Sequence, residues 1–231
     1  MTSAVSVLLV HGAGGTPSTW SAVEPLLNER GHQTLRVVNP LTSLADDIAC
    51  TISALDQLGQ PVLAVGHSYG GAVITNVGRD PRVAGLVYVA AFAPDEGESV
   101  RQIVNRYPPA EVSRHMRRGP NGEWKSARGA AYWAEIGWDL SREQRAEVMS
   151  EHRESADAIF TQATGEPAWR TRPSWYIVAA DDKTLPPAIQ RDMAARAGAV
   201  TSVLPGSHYT PWTRPDEVTA VVLQAAAQVA G

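Results

Sequence analysis

Short runs of consecutive apolar residues alternate along this chain with longer stretches whose apolar positions recur at helical spacing. Residues 5–10 (VSVLLV) end at His11-Gly12, residues 61–66 (PVLAVG) lead into His67, residues 85–91 (GLVYVAA) lead into Phe92, and residues 175–180 (WYIVAA) close on Asp181. Apolar residues at nearly every position, broken only by Ser6 in the first run, rather than strict alternation, predict strands buried on both faces. Residues 33–38 and 200–204 predict two further strands, the last one weak. Helices are expected over 18–30, where Trp20, Val23, Leu26 and Leu27 fall at helical spacings and Gly31 marks the stop. Others are expected over 43–58, opened by Ser43 with Asp46 three residues on and stopped by Gly59, and over 69–79, 187–197 and 213–229. Thr213 and Asp216 stand at capping spacing for the last of these. Strands that alternate with helices predict crossover connections and a mainly parallel six-stranded sheet with helices on both faces.

Residues 98–171 break this rhythm. They carry 22 of the chain's 44 charged side chains in 74 positions, and four of its seven tryptophans: Trp124, Trp133, Trp138 and Trp169. A charge-rich stretch with a few aromatic anchors predicts a helical insert with exposed faces. Its helices are expected near 100–106, 130–136, 142–151 and 155–163, with Ser141 and Gln144 as a capping box for the third. The expected organisation is an α/β core of residues 1–97 and 172–231, interrupted by a helical cap insert, 98–171.

Composition narrows the function. A chain of 231 residues, 44% apolar, suffices for one domain with a lid-sized insert. Its net charge of −4 gives no basic footprint for nucleic acid and no polybasic patch for a membrane. The single cysteine, Cys50, allows no intrachain disulfide and no multi-cysteine metal site, and its helical position predicts a small core residue. The apolar run near the start is far too short to span a bilayer and has no basic residue before it. The cytoplasm is therefore the expected location. The sequence leaves the oligomeric state open, a homodimer being one outcome.

In an open parallel sheet, ligands bind beyond the C-terminal ends of the strands, so the residues just after each strand are the informative ones. After the third strand stands Gly66-His67-Ser68-Tyr69-Gly70, a G-x-S-x-G between a strand and a helix. The sharp turn strains Ser68 and points it outward, while the flanking glycines let strand and helix backbones approach. At a helix N-terminus Ser68 also meets free N–H groups that favour developing negative charge. Ser68 is the candidate nucleophile. After the first strand, His11-Gly12-Ala13-Gly14-Gly15 can aim amides over Ser68; Ala13 and Tyr69 N–H are the candidate oxyanion donors. It is not G-x-G-x-x-G and lacks the lysine of a phosphate loop.

After the sixth strand comes Gly206-Ser207-His208-Tyr209, where His208 is the candidate general base. Of the other histidines, His32, His115 and His152 are expected in solvent. His67 is expected to point away from Ser68, and His11 to brace the first loop. The acid that orients His208 should lie between it and Ser68. Asp181 and Asp182 follow the fifth strand and Asp95 the fourth; Asp182 is preferred to Asp181, with Asp95 third. The order Ser…Asp…His is that of the α/β-hydrolases.

Through VLLVHGAGG, VGHSYGG, WYIVAADDKTLPP and GSHYTPW the chain resembles the α/β-hydrolase superfamily over nearly all its length. It is most similar there to small serine carboxylesterases of the plant methyl-ester esterase and hydroxynitrile lyase group. That resemblance implies an α/β-hydrolase fold. It also singles out Asp182, since in that group the acid precedes a stretch matching Lys183-Thr184-Leu185-Pro186. The lyases of the group carry a threonine after the first-loop histidine and a lysine after the catalytic histidine; here those positions are Gly12 and Tyr209. Without that cation, cyanohydrin cleavage is disfavoured.

The expected activity is therefore hydrolysis of a small-molecule carboxylic ester, apolar or aromatic, through an acyl-enzyme, with no metal and no cofactor. Ser68 excludes epoxide and haloalkane chemistry, which needs an aspartate there. A lyase, a cyclase or cofactor-free oxygenase, or a small-molecule receptor, are the alternatives on this scaffold. In the insert, Tyr132, Trp133 and Trp138 are candidates for an apolar pocket or for anchors. Arg114, Arg117 and Arg118 are expected as a solvated face, with an anionic substrate as the sharper alternative.

Overall fold

The computed structural model describes residues 5–120 and 123–230. Its strands are β1 (Ser6–Val10), β2 (Thr34–Arg36), β3 (Val62–His67), β4 (Val83–Val89), β5 (Met116–Arg118), β6 (Trp124–Ser126), β7 (Ser174–Ala179) and β8 (Val200–Leu204). Its α-helices are α1 (Val23–Glu29), α2 (Leu44–Ala54), α3 (Gly70–Val77), α4 (Val100–Val104), α5 (Ala130–Glu135), α6 (Arg142–Ser150), α7 (Ala158–Thr161), α8 (Pro187–Arg196), α9 (Thr210–Thr213) and α10 (Pro215–Val229).

Six strands form one sheet in the order β2-β1-β3-β4-β7-β8. Every pairing in it is parallel, so the sheet is wholly rather than mainly parallel. The apolar runs build it because successive side chains serve opposite faces. Leu8, Val10, Ala64, Tyr88, Tyr176 and Val178 enter the core beneath α2, α3 and α8. Val7, Leu9, Leu63, Val65, Trp175 and Ile177 enter a second core with α1 and α10. The chain passes from β1 outward to β2, then crosses back to lay β3 on the other side of β1. The crevice where such an order reverses is where open α/β sheets bind ligands; here it separates the loops after β1 and β3.

Capping explains several helix starts. Ser43 Oγ accepts from the Asp46 amide at 3.0 Å, and Ser141 with Gln144 forms a reciprocal box at α6. Ser99 with Gln102 forms another at α4 that the sequence reading did not single out. Thr213 does not cap α10. Thr210-Pro211 starts a separate short turn, α9, and the Thr213 hydroxyl donates back to Tyr209 O within it. The stretch 18–30 likewise divides into a 3₁₀ turn, Pro17–Trp20, and α1, while 155–163 shortens to α7.

Between β4 and β7 the chain carries α4 to α7 and the antiparallel hairpin β5–β6, which was not expected. Tyr132, Trp133, Ile136, Leu140 and Val148 form a third apolar cluster with Tyr209 and Trp212, fastening this stretch to the loop after β8. Trp133 is an anchor in that cluster, and Trp138 stands 46% exposed. Cys50 is half-buried at the edge of the first core, not inside it. Among the described residues no helix is long and apolar enough to cross a membrane.

Candidate active site

β3 runs into α3 through Ser68, whose φ of +54° lies in the left-handed region that non-glycine residues seldom adopt. The surroundings hold it there. Ser68 N donates to Val89 O, and Ser68 O accepts from the amides of Gly71 and Phe92. The turn is tight enough that a Cβ on Gly66 would stand 2.6 Å from Gly70 O, and one on Gly70 2.5 Å from Val10 O. Ser68 is thus strained and presented at the mouth of the crevice.

The loop after β1 packs directly on it, a Cβ on Gly12 falling 3.3 Å from Ser68 Oγ. Among the described residues, neither Ala13 N–H nor Tyr69 N–H has a protein acceptor. Both residues line the same cavity as Ser68. Two contacts set the loop's shape. His11 Nδ1–H donates to Gly12 O at 2.9 Å while its Nε2 accepts from Asn39 N at 3.2 Å. Burial pushes His11 down to about 4, so the ring is a neutral brace. Gly14 is held from the stretch before β7: its amide donates to Ser155 Oγ, and its carbonyl accepts from Arg153 N and His152 Nδ1.

The loop after β8 delivers His208, whose Nδ1 lies 2.7 Å from Asp182 Oδ2. Asp182 is buried, and all its remaining contacts are donors: Thr184 N and Leu185 N to Oδ1, and Gln190 Nε2 to Oδ2. Such a carboxylate is fixed as an acceptor, so His208 donates from Nδ1, and in the neutral ring Nε2 is then the free acceptor. Asp181 takes no part in this; its Oδ2 accepts from Gly206 N. Asp95 lies elsewhere, paired with Arg170. His67, expected to point away from Ser68, turns its ring to the loop after β8. Its Nε2–H donates to His208 O at 2.8 Å and the two ring centres stand 4.7 Å apart, so it holds the His208 backbone. Full burial and the neighbouring His208 drive its pKa far down.

Ser68, His208, Ala13 and Tyr69 all open on one cavity of about 880 Å³. Among the described residues no hydrogen bond joins the Ser68 hydroxyl to the imidazole in this structure; hydrogen bonds of this kind are commonly long before substrate binds. Most of the wall is apolar, with Phe92, Val104, Trp124, Phe160 and Ile189 among its residues. Among the described residues no cluster of three or more histidine, cysteine, aspartate or glutamate side chains is placed to hold a metal ion.

The sequence reading missed several contributors. His152, expected in solvent, is half-buried and lines the cavity, its pKa lowered by desolvation and then by Arg128. His32 and His115 are also half-buried, tied to Val5 O and to Glu135. Ser155 and Gln190 act on the loop after β1 and on Asp182 through single hydrogen bonds that leave no periodic trace. Tyr132 lines the cavity, while Arg114 and Arg118 are ion-paired outside it to Glu135 and Asp157, and Arg117 is exposed.

The model of the alpha/beta hydrolase family matches residues 7–221. A carbendazim-hydrolysing esterase from Nocardioides sp. (strain SG-4G) is 37% identical over 90 residues, a match spanning 38% of this chain and 36% of that esterase. Among solved structures, a pyrethroid hydrolase from Sphingobium faniae JZ-2 superimposes with a TM-score of 0.85 at 22% identity, covering 96% of this chain and 97% of its own. The methylesterase MES16 from Arabidopsis gives 0.75 at 18% identity, covering 97% and 99%. At such identities the structural likeness shows the fold, which is the α/β-hydrolase fold.

Proposed function

The chain belongs to the alpha/beta hydrolase family, and from that premise we propose that it is a serine carboxyl-ester hydrolase acting on small apolar or aromatic esters. His208 Nε2 removes the Ser68 proton as Ser68 Oγ attacks the ester carbonyl carbon. Asp182 holds Nδ1–H and stabilises the imidazolium that forms. Ala13 and Tyr69 N–H receive the developing oxyanion, each such donor being worth about 2.7–4 kcal/mol of barrier. The imidazolium then protonates the departing alcohol. Water, activated by the same imidazole, attacks the acyl-enzyme and releases the acid and free Ser68. Serine, imidazole and backbone amides suffice for each step.

One observation carries the reading: a buried carboxylate, saturated with donors, fixes the tautomer of a histidine on the cavity that a strained serine also lines. The expected result is rapid labelling of Ser68 by a fluorophosphonate probe and turnover of p-nitrophenyl acetate, both lost in Ser68→Ala with the fold intact. Labelling of Ser68 without turnover across a broad ester panel would instead mean a receptor or a non-hydrolytic enzyme.

A further inference from the structure

The apolar cavity also carries cationic side chains on its wall. Two arginines line it, Arg101 and Arg128. Arg101 is ion-paired with Asp157, a carboxylate it shares with Arg118. Arg128 has no carboxylate partner among the described residues. One terminal nitrogen donates to Val148 O at 3.3 Å, the guanidinium stands 5.8 Å from the centre of the Tyr132 ring, and Nε is buried without an acceptor. Next to it, Tyr132 and Tyr209 share a buried hydroxyl–hydroxyl contact at 2.7 Å. Two hydroxyls hold two protons and only one is used between them. The second is a donor with no acceptor among the described residues. Glu151 is the one carboxylate on the cavity wall among the described residues, and it lies at the exposed rim, accepting from Thr16 Oγ.

We propose that Arg128, with the Tyr132–Tyr209 pair, binds a carboxylate on the substrate, so that the preferred ester carries an anionic group separated from the scissile bond by an apolar spacer. This rests on the esterase reading. A half-buried guanidinium facing an apolar cavity has lost solvation without gaining a counter-charge, and a carboxylate supplies one with bidentate geometry. The spacer follows from placement. The Tyr209 ring neighbours that of His208, its hydroxyl meets that of Tyr132, and the Tyr132 ring neighbours Arg128, so a run of aromatic side chains links the reacting histidine to the guanidinium.

The test compares mono-p-nitrophenyl esters of glutaric, adipic and suberic acid with their terminal primary amides, matched in length and neutral. The wild-type protein should show kcat/KM at least tenfold higher for the acid than for the amide at one of these lengths, mainly through KM. Arg128→Gln should collapse that ratio, and Arg128→Lys should keep part of it. Equal kcat/KM for acid and amide at every length in the wild type, or a ratio that survives Arg128→Gln, overturns the proposal. Titration calorimetry of Ser68→Ala with monomethyl adipate and with its terminal amide separates the two readings. Tighter binding of the acid, lost on adding Arg128→Gln, upholds the anion subsite even where no ester is turned over, whereas equal binding overturns it.

Discussion

The amide of Gly14 donates to Ser155 Oγ at 2.9 Å, joining two residues 141 positions apart in the chain. Through it the stretch before β7 holds the loop that carries the Ala13 amide. Oxyanion stabilisation depends on donors that are already in place, so a sagging loop should slow the chemistry more than it weakens binding. Ser155→Ala should lower kcat about tenfold with KM little changed, and Ser155→Thr, which keeps a hydroxyl, should recover most of it. Steady-state kinetics on p-nitrophenyl acetate decide. A fall confined to KM would mean that Ser155 shapes the pocket rather than the loop.

Asp182 and Asp181 differ by one position and should differ by orders of magnitude in effect. Asp182 accepts four hydrogen bonds, one of them from His208. An asparagine there must turn an NH₂ toward donors and favours the wrong histidine tautomer. Asp182→Asn should cut kcat by about 10⁴-fold, the size of that effect in the serine-protease triad. Asp181→Asn, which alters only a part-buried contact with Gly206 N away from His208, should stay within about threefold of wild type. Parallel kinetics, with circular dichroism to confirm folding, check both.

Much of the fold could be read in advance because a parallel sheet covered on both faces needs near-continuous apolar runs, and residues 5–10, 61–66, 85–91 and 175–180 supply them. Ser68 and its setting were equally legible, since a strand–serine–helix turn demands glycines at fixed offsets. The hairpin β5–β6 was not. Met116-Arg117-Arg118 and Trp124-Lys125-Ser126 are too short and too polar to show a period. His152 escaped because its place depends on a carbonyl, Gly14 O, that has no sequence signature. Choosing between Asp181 and Asp182 needed the family resemblance; only the structure shows the Gln190 amide and two backbone N–H groups closing around one of them.

Close approach, not flexibility, is what Gly70 provides. A Cβ there would sit 2.5 Å from Val10 O and 2.7 Å from His11 O, both rigid backbone. Gly70→Ala must push α3 away from β1, shifting Ser68 and the loop after β1 together. Overpacking of this kind costs about 1–3 kcal/mol. A drop of that size in urea-unfolding free energy, together with an activity loss that survives full folding, is the expected pair of results. Unchanged stability would show that the helix can move without strain.

Two buried histidines, His11 and His67, and the half-buried His152 give the protein an acid-sensitive window. The folded state keeps His11 neutral down to about 4, whereas in the unfolded chain it titrates near 6.5. Between those values the unfolded chain binds a proton that the fold refuses, so stability falls as pH drops from about 6.5 to about 4 and the loss then levels off. At about 1.36 kcal/mol per pKa unit, His11 alone contributes about 3 kcal/mol. His67 and His152, both lowered chiefly by desolvation, act in the same direction. Asp47, raised by burial, opposes them at the acid end, because the fold takes up its proton first as pH falls. The lowered carboxylates, Asp80, Glu98 and Asp157 among them, also lose stability as pH falls, so the sign holds. Urea unfolding at pH 7.5, 6.0, 5.0 and 4.5 should give a free energy that declines by at least about 3 kcal/mol across the series. A flat profile would mean that the His11 ring is charged in the fold, and that Asn39 N cannot be donating to its Nε2.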